Sequence, residues 1–317
     1  MSRKVFQLHP SQFCNYSCLH CYSSSSPHIR SYVDKNLIAG AIKDAASLGY
    51  QRLSVSGGEP LLYPYLTDIL SAAKNHGMST SLITNGSFPE GKYKSLIGLV
   101  DVIGVSLDGT KELHNTIRKN RSAFEKVDRF LDFSVKYFKN IGIVFALTDQ
   151  SWEFLPDIFS YGKSRNVSII QIHPLERVGR AKSSNGISLS LDNLKRAYLL
   201  NSVISSQYPF YVQFDALSKD TAIRTMTPKD GIEVAAEAID LLVMNEKGEV
   251  LPYTYGIPNN WQVANLNKTS LNEGWQYFKE NKFLPFQKWC EDTIGSIKDV
   301  LFTPSTIYAE RSFIQRD

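Results

Sequence analysis

Short apolar runs and longer amphipathic segments alternate along the first half of the chain. Runs of strand character cover 5–13 (VFQLHPSQF), 52–58 (RLSVSGG), 79–86 (STSLITNG), 101–109 (DVIGVSLDG), 140–148 (NIGIVFALT) and 167–175 (VSIIQIHPL). Between them, 34–48, 64–76, 89–98, 121–138 and 151–165 read as helices. In 121–138, Phe124, Val127, Phe130, Leu131 and Phe138 recur at three-to-four spacing and form an apolar stripe. Strands separated by helices predict a parallel sheet with right-handed crossovers. Six such units are too few for an eight-fold barrel. The expected fold class is therefore α/β, a partial (β/α)6 barrel over residues 1–204.

After about residue 185 the rhythm changes. A helical stretch, SLDNLKRAYLLNSVISS, leads to YPFYVQFDAL and then to LLVMNEKGEVLPY, which reads as a β-hairpin turning at NEKGE. The remainder is rich in aromatics, among them Trp261, Trp275, Tyr277, Phe278, Phe283, Phe286 and Trp289. A smaller C-terminal α+β domain is expected over 205–317.

In folds of this kind the chemistry sits at the C-terminal ends of the strands. Each predicted strand ends in a polar or glycine-rich cluster: Cys14 onward, SGGEP, TNG, SLDG, TDQ and HPLERVGRA. These clusters are expected to converge on one rim.

Composition narrows the classes. The 317 residues are 43% hydrophobic and 21% charged, as in an ordinary globular protein. The net charge of +4 suits an anionic ligand but is far from the basic stripe of a nucleic-acid binder, and none is expected. No apolar run reaches membrane-spanning length, so no membrane association is expected. Four cysteines, three of them clustered, do not form a secreted disulfide framework. The cytoplasm is the expected compartment.

The cysteine cluster carries the chemistry. In CNYSCLHCY, Cys14, Cys18 and Cys21 follow a Cys-x3-Cys-x2-Cys spacing. Three thiolates on one short loop can hold three corners of an iron–sulfur cluster and leave one iron open. With His20 between two of the cysteines and His9 and His28 nearby, a Cys3His zinc site is the alternative.

The triplet, the aromatic Tyr22 after it, GGEP at 57–60, then TNG and SLDG resemble, in identity and order, the radical S-adenosylmethionine (SAM) superfamily over roughly residues 8–185. The resemblance implies that Cys14, Cys18 and Cys21 hold one [4Fe–4S] cluster whose fourth iron is chelated by SAM. Reductive cleavage would give a 5′-deoxyadenosyl radical that abstracts a substrate hydrogen. An electron donor such as flavodoxin or ferredoxin is implied as well. By the same resemblance, Tyr22 abuts the adenine, and Gly57, Gly58, Glu59 and Pro60 bind the SAM amino group. Thr84, Asn85, Ser106 and Asp108 face the same rim, the latter pair near the ribose or carboxylate. Arg118 pairs with the SAM carboxylate, Leu175 packs near the adenine, and a Gly179–Arg180 turn closes the site.

The second domain resembles the SPASM/Twitch branch, which includes peptide-maturing enzymes. Its hairpin, Pro252, ANL, SL and Trp275 are present, but Tyr253 stands where that branch has a cysteine. With only Cys290 left over, no auxiliary cluster is expected, and iron should be about four per chain. Cys290 has two readings: a buried apolar thiol, or a hydrogen-atom donor as in some peptide epimerases.

Three functions are consistent with these features. The first is modification of a ribosomally made peptide by cross-linking or epimerisation. Such enzymes often carry a peptide-recognition domain ahead of the barrel, and with the first cysteine at position 14 none is expected here. The second is action on a small molecule such as a sugar, nucleotide or cofactor precursor. The third is a SAM-binding sensor without turnover. Asp149, Gln171, His173 and Glu176 are candidate substrate contacts.

Overall fold

The computed structural model describes residues 4–183, 186–218, 222, 236, 239–296 and 301–302. Stretches of the expected C-terminal domain, including 223–235 and 303–317, lie outside the described residues.

All six predicted strands form: β1 (Val5–Leu8), β2 (Arg52–Val55), β3 (Ser79–Thr84), β4 (Val102–Ser106), β5 (Asn140–Leu147) and β6 (Ile169–Pro174). They pair in sequence order, and every pair is parallel. The intervening helices are α1 (Lys35–Ser47), α2 (Leu66–Asn75), α3 (Glu90–Lys94), α4 (Lys111–Arg118), α5 (Ala123–Tyr137) and α6 (Leu155–Ser164). In α1 the buried positions Ile38, Ala41, Ile42 and Ala45 make one stripe, and Asp34 caps the helix by accepting from the Asn36 N–H.

One face of each strand packs under these helices. Leu53, Val55, Leu82, Ile103, Val105, Ile143, Phe145, Ile170 and Ile172 are fully buried there. Each such side chain contributes about 1.5–3 kcal/mol of hydrophobic stabilisation. The alternate positions, among them Ser54, Ser106, Val144, Gln171 and His173, are only half-buried and face the concave side. The result is the expected partial barrel.

Most described strands after 204 join the barrel sheet. Helix α7 (Arg180–Ser183) and α8 (Leu191–Ile204) lead to β7 (Tyr211–Phe214), which adds parallel to β6. Strand β9 (Leu241–Met244) adds parallel to β1 at the other side and turns back as β10 (Glu249–Pro252), which pairs with β11 (Ala264–Asn265). One ten-stranded sheet therefore runs through both expected domains. A short pair, β8 (Leu217–Ser218) with β12 (Leu301–Phe302), lies apart from it. The hairpin turns where NEKGE predicted, with the Asn245 side chain accepting from the Lys247 and Glu249 N–H groups.

The aromatic tail forms α9 (Leu271–Tyr277), one π-helical turn (Phe278–Lys282) and α10 (Phe283–Ser296). Tyr253, Trp261, Phe278, Phe286 and Trp289 stack together there. Tyr253, at the position of the missing cysteine, is buried at a left-handed φ of 64° and stacks on Phe286. Cys290 lies in the same core and is fully buried. Complete burial is the setting of an apolar thiol.

Candidate active site

The cysteine loop leaves β1 and is fixed by backbone contacts from distant elements. GGEP lies directly on it: the Gly58 N–H donates to the Ser11 carbonyl at 2.8 Å and the Glu59 N–H to the Phe13 carbonyl at 2.9 Å. Gly57 sits at φ +101°. A Cβ on Gly58 would stand 2.3 Å from the Phe13 carbonyl oxygen. The glycine that was expected to let the backbone approach a cofactor is thus first required by the cysteine loop itself.

From the last strand, Gly179 and Arg180 clamp the other end of the loop. The Arg180 guanidinium donates to the carbonyls of Cys18, Ser24 and Ser25 at 2.6, 3.1 and 2.6 Å, and its backbone N–H donates to the Cys21 carbonyl at 2.9 Å. A Cβ on Gly179 would overlap the Tyr22 carbonyl. The turn expected to close the site holds the cysteine loop.

Cys14 and Cys18 are buried, Cys21 is half-buried, and none is in a disulfide. Each sulfur has a donor group nearby. The Tyr16 N–H lies 3.4 Å and the Asn85 amide 3.9 Å from the Cys14 Sγ. Arg118 Nη1 lies 3.9 Å from the Cys18 Sγ, and the Ser23 hydroxyl 3.5 Å from the Cys21 Sγ. Without a metal, burial pushes the Cys14 thiol up to about 12 and the Cys18 thiol up to about 11. Metal binding therefore releases protons from these thiols.

Glu59 ties two motifs together. Its buried carboxylate accepts from the Thr84 hydroxyl at 2.8 Å, the Asn85 N–H at 2.8 Å and the Leu61 N–H at 3.3 Å. Burial raises its pKa to about 7 against these bonds. Pro60 follows as the first residue of a 3-10 turn. The Asn85 side chain, so anchored, bonds Asn15 at 2.9 Å and faces the Cys14 sulfur.

Asp108 is the centre of a second group. Fully buried, it accepts from Arg118 Nε at 2.5 Å and Nη2 at 2.9 Å, and its oxygens lie 3.3 Å from His20 Nε2 and from His114 Nδ1. Burial alone would raise the carboxyl, but the charges of Arg118 and His20 and the bond to His114 outweigh it and hold it well below the usual range. The His114 Nδ1 also lies 3.1 Å from the Asp108 backbone nitrogen, so the imidazole is held against both the main chain and the carboxylate of this residue. Arg118 and Asp108 are thus engaged with each other. The remaining Arg118 nitrogen, Nη1, lies on the side of the Cys18 sulfur. Ser106, half-buried at the end of β4, stays open to the concave side.

Tyr22 packs against His9 and Tyr255, the latter from the segment after β10, with ring centroids 5.3 and 5.4 Å away. Its hydroxyl is 3.2 Å from the Ser56 Oγ. Leu175 packs with Ile117, Ala181 and Ile187 behind the clamp.

Of the four candidate substrate contacts, Asp149 is engaged by Ser188, Ser190 and Asn193. Gln171 and His173 share Asp215, which follows β7, at 2.5 and 3.1 Å, and Glu176 lies 3.8 Å from the other His173 nitrogen. Burial would lower the imidazole pKa, but the Asp215 bond and the charges of Glu176 and Asp215 hold it up at about 9.

The expectations drawn from sequence do not place α4, Arg180's grip on the loop, Tyr255 or Asp215, nor the contacts of His20 and His114 with Asp108. Helix α4 was legible in Thr110, whose side chain caps the Leu113 N–H, and Glu112 in the first turn. It sets His114 and Arg118 one turn apart on a single buried face.

Cys14, Cys18 and Cys21, free of disulfides on one loop, supply the donor set that a cluster ligated at three corners needs. Among the described residues, no three His, Cys, Asp or Glu side chains converge on a single-ion site, and His20 faces Asp108. Around the loop, His9 Nδ1, Tyr16 Oη and His114 Nε2 are buried without a hydrogen-bond partner. Such orphaned groups mark a polar site arranged for a bound group.

Comparison with known proteins agrees. Residues 8–160 match the Radical SAM superfamily, and this part of the chain is a radical SAM domain. The [4Fe–4S] cluster and SAM that the sequence implied are characteristic of that family. The chain is 27% identical over 243 residues to the Fe-coproporphyrin III synthase of Methanosarcina barkeri, covering 74% of this chain and 61% of that protein. It thus spans less than two thirds of that relative. It is 23% identical over 303 residues to the cysteine-type anaerobic sulfatase-maturating enzyme of Clostridium perfringens, covering 86% of this chain and 79% of that one. In fold it resembles native anSMEcpe with bound AdoMet and Kp18Cys peptide, at TM-score 0.66 and 20% identity over 93% of this chain and 86% of the other. Streptococcus suis SuiB bound to S-adenosylmethionine gives 0.67 and 16% over 86% and 65%. No helix among the described residues is long and apolar enough to cross a membrane.

Proposed function

We propose that this chain is a radical SAM enzyme that modifies a ribosomally made peptide. The observation that carries the radical SAM chemistry is the buried three-cysteine loop, with a donor group beside each sulfur and unpartnered polar atoms around it. Bound there, the cluster and SAM supply a 5′-deoxyadenosyl radical that takes a hydrogen atom from the substrate. The chain's own residues do the rest. Cys14, Cys18 and Cys21 hold the cluster, and Glu59 and Arg180 fix the loop that carries them. Tyr22, His9 and Tyr255 wall one side and keep water from it. Gln171, His173 and Asp215 line the substrate side. A flavodoxin or ferredoxin is the proposed electron donor.

The peptide substrate is supported by a fold likeness over 93% of this chain to anSMEcpe, which carries a bound peptide. Relatedness to the porphyrin synthase favours a small-molecule substrate as the second reading. The test is anaerobic turnover with reductant and SAM, using peptides encoded by small open reading frames beside the gene. A peptide mass change with 5′-deoxyadenosine supports the first reading. 5′-Deoxyadenosine without any mass change discards it in favour of the second, and no 5′-deoxyadenosine discards radical chemistry altogether.

A further inference from the structure

The three cysteine sulfurs are not in equal surroundings. Cys14 is approached by two neutral N–H groups, Cys21 by one hydroxyl, and Cys18 by a full cation. That cation is held rigidly. The Nε and Nη2 edge of Arg118 bonds Asp108 in a bidentate pair, which turns the remaining Nη1 toward the Cys18 sulfur. Asp108 is fully exposed to none of the solvent and Arg118 only 11%, so water screens the charge little. Guanidinium does not deprotonate in a protein, so the charge is permanent.

Resting on the cluster reading above, we infer that Arg118 is a positioning residue that raises the reduction potential of the cluster through Cys18. Reduction adds a negative charge to the cluster and its thiolates, and a fixed cation at one sulfur favours that state. Asp108 sets the direction of the guanidinium, so that its free donor meets sulfur. Asn85, held by Glu59, acts in the same sense at Cys14 but as a neutral donor.

The test is an anaerobic redox titration of the reconstituted full chain, followed by electron paramagnetic resonance. Arg118→Gln should lower the ratio of reduced to oxidised cluster at fixed potential about tenfold, which for a one-electron couple is about 59 mV. Arg118→Lys should recover most of that shift, and Asn85→Ala should give about a threefold loss. Lys111→Gln, which removes an exposed cation paired with Glu125, should change nothing. A fully loaded Arg118→Gln protein with the wild-type midpoint overturns the inference. If that variant fails to load because Asp108 is left unpaired, the Asp108→Asn/Arg118→Gln protein is read against Asp108→Asn alone, because Asp108 carries the opposite charge beside Cys18. A midpoint below that of Asp108→Asn supports the inference and an equal midpoint overturns it. A wild-type chain that binds no four-iron cluster by iron analysis refutes the cluster reading itself, and the inference with it.

Discussion

Replacing Gly58 with alanine tests whether GGEP serves the cysteine loop before it serves a ligand. The added Cβ would lie 2.3 Å from the Phe13 carbonyl oxygen and 2.9 Å from the Gln12 carbonyl carbon. Unstrained contacts are about 3.5–4 Å, so backbone must move by about 1 Å. The atoms met are main chain, which cannot rotate away. Overpacking of this kind costs roughly 1–3 kcal/mol. At about 2.1 cal/mol/K per residue the 317 residues have an unfolding entropy of about 0.67 kcal/mol/K. A 2 kcal/mol loss, taken as about the middle of that range, lowers Tm by about 3 °C. The effect on the loop should be larger than on the fold, because a shift of about 1 Å in a positioned group costs on the order of a hundredfold in function. The assay is thermal unfolding of the metal-free chain beside iron and sulfide analysis after anaerobic reconstitution. Gly40→Ala is the control: Gly40 is inside α1, exposed, with nothing within 4 Å of its Cβ position. It should gain about 0.5–1 kcal/mol and keep its iron. A Gly58→Ala chain with unchanged Tm and full iron would refute the reasoning.

Glu59→Gln turns an amide N–H₂ toward one of the donors from Thr84, Asn85 or Leu61 and should cost about 1–3 kcal/mol in denaturant unfolding. A double-mutant cycle with Thr84→Val should be non-additive; strict additivity would break the proposed link. The pKa of His173, raised from 6.5 to about 9, makes a stabilising contribution that is fully present below about pH 6.5 and lost as pH rises through about 9. In Asp215→Asn that part of the Tm profile should flatten, and an identical profile would contradict the assignment. Cys290→Ala should cost about 1 kcal/mol of stability through lost packing and leave the iron content unchanged. A fall in bound iron would show that Cys290 matters to the cluster after all.

Local pattern made much of this protein legible. The six strands and their helices follow from period-two and three-to-four spacing, which are properties of adjacent residues. The cysteine triplet, GGEP, TNG and SLDG also announce themselves, because each sits in one short segment at a strand end. That was enough to expect a cluster loop and a rim on which it lies. Partnership across the chain was not legible. Arg180 reaches the Cys18 carbonyl across 162 positions, and His173 reaches Asp215 across 42. No local spacing encodes such pairs; only the closure of strands into one curved sheet brings them together. The same closure decided that Arg118 and Asp108 satisfy each other. A carboxylate and a guanidinium buried at hydrogen-bond distance must pair, since either alone would be a costly uncompensated charge. It also placed β7 and β9 on the two flanks of the barrel sheet, because strand edges left by β6 and β1 need hydrogen-bond partners. Sequence determined which residues gather in short motifs at the strand ends, and tertiary structure determined which of them bond one another, because only folding brings distant segments together.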